Sequence, residues 1–177
     1  MRPSWFRSPW LTRSCAWRSA ASIARWSDRG LAEARKAILT VRTDLGSARV
    51  DARFRTMNES FEGAHVDGWE SLLDGITLPD PNDRHVVAAA VSGRADVIVT
   101  SNLHNFPDDA LRPFDLHATS PDDFLLDEFD LDPHGTIEAL YSQARAMNRP
   151  TATLNDVLTA LEAAGGAWYG SKKVDRF

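Results

Sequence analysis

Asp80 and Asp83 stand three residues apart at the head of the stretch LPDPNDRHVVAAAVSGRADVIVTSNLHNFP (78–107), and Thr100, Ser101 and Asn102 follow its β-branched run. Two chemistries are open to the acids. As helix-terminal groups, Asp80 caps, Pro81 takes the first helical position and Asp83 faces the positive end of the helix dipole. As functional groups, they reach the end of the sheet where the Thr100 hydroxyl and the Asn102 amide emerge, provided the connection is the usual right-handed one. That end is where α/β folds gather ligands and catalytic groups. Residue types and spacing alone leave both readings open.

The elements that must position these groups are legible around them. Val86 to Val91 is apolar nearly all round, which predicts a buried helix ended by Gly93. ADVIVT, Ala95 to Thr100, predicts a central parallel strand covered on both faces. Asp115 to Thr119 is the next strand, and Ser120 with Pro121 starts a helix reaching Asp127. Upstream, Ser27 caps a helix to about Thr40 with Leu31, Ala34, Ile38 and Val41 as its buried stripe. Glu33 lies off that stripe and reads by itself as a solvated carboxylate. A second helix fits Ser47 to Phe61, with Val50, Phe54, Met57 and Phe61 at helical spacing. Glycines break 62–77 into a helical turn at Trp69, Leu72 and Leu73 and a short strand at Ile76 to Leu78. Phe124 to Pro133 is an acidic connector. Beyond it, helices through Ile137–Met147 and Leu154–Leu161 form an αα-hairpin whose apolar faces need a partner.

Composition bounds the setting. A chain of 177 residues buries one good core plus a small helical appendage. Its single cysteine, Cys15, excludes an internal disulfide framework and a cysteine-rich zinc site, and suits a reducing cytosol. No apolar run approaches the roughly 18 residues of a membrane span. The net charge of −5 hides an asymmetry: residues 1–60 hold 12 Lys/Arg against 5 Asp/Glu. A basic segment of this kind is a nucleic-acid or partner contact, or a poorly structured terminus. Residues 1–22 are rich in Arg, Ser and Trp, with no acid before Asp28 and no sustained period. There is no P-loop, GxGxxG, CxxC pair or HExxH. His65, His85, His104, His117 and His134 lack ligand-like spacing, and each reads as a surface or capping residue.

With these pieces in place, PDPNDRHVVAAAVSGRADVIVTSNLHNFP resembles the signature half of a PIN domain, similar to the larger VapC-like toxin members. RWSDRGLAEARKAIL resembles the family helix that carries an acid across the cleft. PDDFLLDEFDLDP resembles the close of the domain, and the hairpin resembles the C-terminal extension of that subgroup. The likeness covers roughly residues 24–165. It implies a PIN-like three-layer α/β sandwich with a parallel sheet, followed by a C-terminal αα-hairpin. It also implies a Mg2+- or Mn2+-dependent ribonuclease, the toxin of a toxin–antitoxin pair, in which carboxylates hold metal against the scissile phosphate.

Carried over residue by residue, the resemblance makes Asp83 and Glu33 metal ligands, with Asp80 close by. Thr100 and Asn102 then position water or phosphate. Two positions depart from the family pattern. No aspartate precedes Asp28, where the family's first strand ends in one, and the loop acid before Phe106 is here the amide Asn105. An amide ligates through its carbonyl oxygen but brings no negative charge.

The resulting expectation is an atypical, poorly ordered segment at 1–22 that replaces the family's first element through a shifted frame or misplaced start. A PIN-like domain at 23–128, a helical hairpin at 133–166 and a tail at 167–177 follow. The expected partners are RNA, an antitoxin-like protein and a second copy in a homodimer, in the cytoplasm and without a membrane. The rival expectation is a catalytically impaired PIN-like protein that binds such a partner or RNA without cleaving it. A nucleotide-binding Rossmann-type domain ranks third, because the glycine-rich phosphate loop is absent.

Overall fold

The computed structural model describes residues 24–146, which fall into two units, 24–120 and 121–146. The segment 1–22, the second hairpin helix and the tail expected from the sequence lie outside the described residues.

The first unit opens with two helices, α1 (Asp28–Val41) and α2 (Ser47–Ser60). The Ser27 hydroxyl accepts the Gly30 amide at 3.2 Å and so caps α1. Leu31, Ala34 and Ile38 are buried along its expected stripe, whereas Val41 is 48% exposed because the helix ends there. α2 buries Val50, Phe54 and Met57. The Arg35 guanidinium forks onto the Asp51 carboxylate and links the two helices.

Before α1, the chain is pinned by backbone bonds. Trp26 pairs in parallel with His65, donating to the Ala64 carbonyl at 2.9 Å and accepting the Val66 amide at 2.9 Å. Its indole donates to Asn58 Oδ1 at 2.7 Å and meets the Phe61 ring edge-on at 5.7 Å. His65 lies between Asp28, 3.0 Å away, and Asp67, 3.3 Å away.

A 3-10 turn (Glu70–Gly75) holds the expected Leu72 and Leu73. Ile76 to Leu78 forms no strand, a departure from the one expected there, and its apolar ends Ile76 and Leu78 enter the core instead. A second 3-10 turn (Pro81–Asp83) leads into α3 (Arg84–Ser92). Val87 to Ala90 are buried, as an all-round apolar helix requires. Gly93 ends α3 through close approach, for a Cβ there would stand 2.8 Å from Val66 Cγ2. The left-handed residue of this turn is Arg94, with φ of 52°.

β1 (Val97–Val99) pairs in parallel with β2 (His117–Thr119), in the register Val97↔His117, Ile98↔Ala118 and Val99↔Thr119. Both strands are shorter than expected, and β1 departs from the two-faced burial read from its composition. Ile98 is buried and Val99 is 40% exposed, and among the described residues β2 is the single strand neighbour of β1. A parallel pair needs a long crossover. Here it is a 3-10 turn (Leu103–Asn105), the short α4 (Asp108–Leu111) and a further 3-10 turn (Arg112–Phe114). Its apolar residues Phe106, Leu111 and Leu116 join Ile98, Val87 and Trp69 in one core. The unit is thus mixed α/β, mostly helical, around a small parallel sheet.

In the second unit, α5 (Pro121–Leu131) and α6 (Pro133–Ala146) pack on each other. The acidic stretch expected as a connector is mostly helix, and the connection is reduced to Asp132. The Asp132 side chain accepts the Gly135 amide at 2.9 Å and so caps α6. No helix among the described residues is long and apolar enough to cross a membrane.

Candidate active site

The site is built at the first turn of α3. Asp80 Oδ1 accepts the Asn82 backbone amide at 2.9 Å and the Asn82 side-chain amide at 3.0 Å. That is the cap, with Pro81 at the first position. Asp83, freed from capping, is half-buried and turned toward the loop after β1, where Asn105 Nδ2 donates to its Oδ2 at 2.7 Å. A bond between residues 22 positions apart closes the helix start onto the strand exit. The spacing of the sequence motif serves to make those two ends meet.

Thr100 and Asn102 form the exit itself. Thr100 is 3% exposed, its amide donates to the Thr119 carbonyl at 2.9 Å, and its hydroxyl accepts the Asn102 amide at 3.1 Å. It therefore extends the sheet pairing by one bond and bends the chain into the loop. Asn102 is half-buried at that bend.

Glu33 arrives from α1. Its Oε1 pairs with Arg29 Nε at 3.3 Å on the helix surface, and its Oε2 stands 3.4 Å from His85 Nε2. The solvated reading of Glu33 therefore holds for one of its oxygens and fails for the other. His85, read from the sequence as a surface or capping residue, is 2% exposed. Its Nδ1 lies 2.7 Å from the Asn82 carbonyl oxygen, so a capping contact is present, but inside the fold. Its Nε2 is buried and makes no aligned hydrogen bond. The Trp69 ring packs beside it at 6.1 Å. The available signal was position: a histidine at the second residue of an otherwise apolar helix is buried by its neighbours.

Three acids were expected to hold a metal, and each already has an oxygen engaged: Asp80 by Asn82, Asp83 by Asn105, Glu33 by Arg29. Among the described residues, no three of His, Cys, Asp and Glu come close enough together to hold an ion. The donors are nonetheless oxygens, and Mg2+ keeps several waters while taking one or two carboxylates plus a substrate phosphate. Oxygen donors of this kind are the type a hard divalent ion takes.

A family model described as the VapC50 C-terminal domain matches residues 121–166, beginning where the second unit begins. A protein of Mycobacterium tuberculosis (strain ATCC 25618 / H37Rv) named "Putative ribonuclease VapC50" is 51% identical over 79 residues. That match covers 45% of this chain and 47% of the relative, so it spans about half the relative's length. No solved structure matches the chain.

Proposed function

We propose, the chain being a VapC-like member of the PIN family, that it is an RNA-cleaving phosphodiesterase of the toxin type, dependent on Mg2+ or Mn2+. The observation that carries this reading is the Asp83–Asn105 junction, which closes the helix start onto the strand exit. It leaves Asp83 half-buried beside a polar loop, with a Glu33 carboxylate oxygen 3.4 Å from His85 Nε2 on the same helix.

In this reading Asp83 is the carboxylate that holds the ion, and Glu33 adds negative charge at the same helix start. Asn105 offers its amide oxygen, and Asn102 at the strand exit orients water or a phosphate oxygen. Thr100 shapes the exit and keeps Asn102 in place. A bound Mg2+ or Mn2+ supplies activation of water and stabilisation of charge on the phosphate. An antitoxin-like protein is the proposed binding partner, the proposed substrate is RNA, a homodimer is the proposed assembly and the cytoplasm the proposed setting.

A second reading is favoured by one specific feature. Asn105 places a neutral amide against Asp83, where a second carboxylate would strengthen the pull on a divalent ion. A protein with this arrangement binds RNA or its protein partner and cuts nothing.

Incubating the chain and its Asp83→Asn variant with labelled RNA, with Mn2+, Mg2+ or EDTA, separates the two. Metal-dependent cleavage lost in Asp83→Asn supports the nuclease. Binding without cleavage under every metal condition supports the second reading, and cleavage undiminished in Asp83→Asn rejects the site.

A further inference from the structure

We propose that the cleft between the turn at Gly63 and the C-terminal end of α3 is a phosphate-binding site, in which the guanidinium groups of Arg25 and Arg94 receive the phosphate oxygens. The cleft has a volume of about 280 Å³ and is walled by Arg25, Gly63, His65, Asp67, Gly93 and Arg94. Asp83 stands at the opposite end of α3, so the site is separate from the nuclease reading and does not depend on it.

Arg25 is set in place by backbone. Its Nε donates to the Gly93 carbonyl at 3.2 Å and its Nη1 to the Gly63 carbonyl. A guanidinium carries five N–H groups. These two bonds fix its plane and leave Nη2 without a partner among the described residues. Both acceptors are neutral carbonyls, so the positive charge is oriented and not cancelled. A planar fork held in this way matches phosphate oxygens and loses little freedom on binding them. The walls are braced as well. Ser92 Oγ donates to the Asp67 carbonyl at 2.9 Å, and Trp26, next to Arg25, exchanges backbone bonds with Ala64 and Val66.

Arg94 supplies the second cation. It is exposed and left-handed, with φ of 52°, a conformation that favours glycine. Its guanidinium makes no hydrogen bond or ion pair among the described residues. A basic side chain beside a helix end ordinarily serves the last carbonyls. Here those carbonyls are taken: Ala89, Ala90 and Val91 accept the amides of Gly93, Ala95 and Arg94 at between 2.8 and 3.1 Å, and Gly93 accepts Arg25. A strained position therefore holds a cation that the described fold does not use. The acid in the wall, Asp67, is engaged, with His65 Nδ1 3.3 Å from its carboxylate. Two guanidinium groups against that one carboxylate give the cleft a positive balance, which suits an oxyanion.

The test titrates the full chain with inorganic phosphate at constant ionic strength, because screening by salt would otherwise mimic binding. Backbone amide signals are followed by NMR, with chloride as the control. Saturable shifts of the amides of residues 63, 93 and 94 are expected with phosphate alone. The dissociation constant is expected to rise at least fivefold in Arg94→Gly and in Arg94→Gln, and to fall at least twofold in Asp67→Asn. Arg94→Gly relieves the backbone as well as removing the charge, and its unfolding midpoint is expected at or above that of wild type, so weaker binding does not reflect unfolding. Shifts that chloride reproduces, or a rise smaller than fivefold in both Arg94 variants, overturn the proposal.

Competition against bound phosphate in EDTA, by a short RNA with or without a 5′-phosphate, identifies the source of the group. Displacement by both RNAs marks a backbone phosphodiester, displacement by the phosphorylated RNA alone marks a terminal monoester, and displacement by neither marks free phosphate.

Discussion

The Asn105 side-chain amide donates to Asp83 at 2.7 Å, so the position before Phe106 contributes a hydrogen bond where a carboxylate would contribute charge. This one bond closes the helix start onto the strand exit without adding negative charge. The family pattern and the fold thereby become separable by experiment.

Asn105→Asp reverses that balance. Without metal, two carboxylates face each other and a bond to a charged group is lost, a change of about 1.5–3 kcal/mol, so the unfolding midpoint falls. Added Mn2+ is expected to raise the midpoint of the variant more than that of wild type. Equal rises in the two proteins would show that residue 105 does not meet the ion.

Asp80 separates cap from catalyst. Its oxygen satisfies Asn82, and Asp80→Ala is expected to destabilise the fold by about 1 kcal/mol while leaving Mn2+ affinity within twofold. A large loss of Mn2+ affinity at unchanged stability would move Asp80 into the ligand set.

His65 couples stability to pH. The hydrogen bond to Asp28 is the main cause that raises its pKa above the ordinary histidine value; burial opposes, and the Asp67 charge adds. A group with a raised folded value stabilises fully below its unfolded pKa of about 6.5, and that contribution disappears as pH rises through the folded value. The gap in unfolding midpoint between wild type and His65→Gln is therefore expected to be wider at mildly acidic pH than at alkaline pH. A gap independent of pH removes the linkage.

The end of α3 offers a pair of opposite substitutions. Gly93→Ala forces a methyl to within 2.8 Å of Val66 Cγ2 and 3.0 Å of the Ala89 carbonyl oxygen. It is expected to destabilise by about 1–3 kcal/mol. Arg94→Gly relieves a left-handed backbone with φ of 52° and is expected to stabilise by about 0.5–1 kcal/mol, the strain relief exceeding the entropy of glycine. Denaturant midpoints of both variants check the signs together.

What the sequence determined by itself was local. Ser27 as a cap, Asp80 with Pro81 at a helix start, the burial of Val87 to Ala90 and the parallel-strand character of Val97 to Val99 each depend on neighbours within a turn or two. Capping geometry and periodicity act over that range, so residue order suffices to read them. The resemblance to a family added the pairing of Glu33 with the α3 start, which periodicity alone assigned to solvent.

Tertiary structure decided the rest. Only folding brings Asn105 to Asp83 and His85 to Glu33, because those contacts depend on how α1, α3 and the crossover loop pack around one core. The burial of His85 and the exposure of Val99 follow from the same packing. A side chain's environment belongs to the assembled elements, and no spacing along the chain encodes it directly. The acids were legible in the sequence, but the partners that hold them, and therefore what those acids are free to bind, were set by the fold.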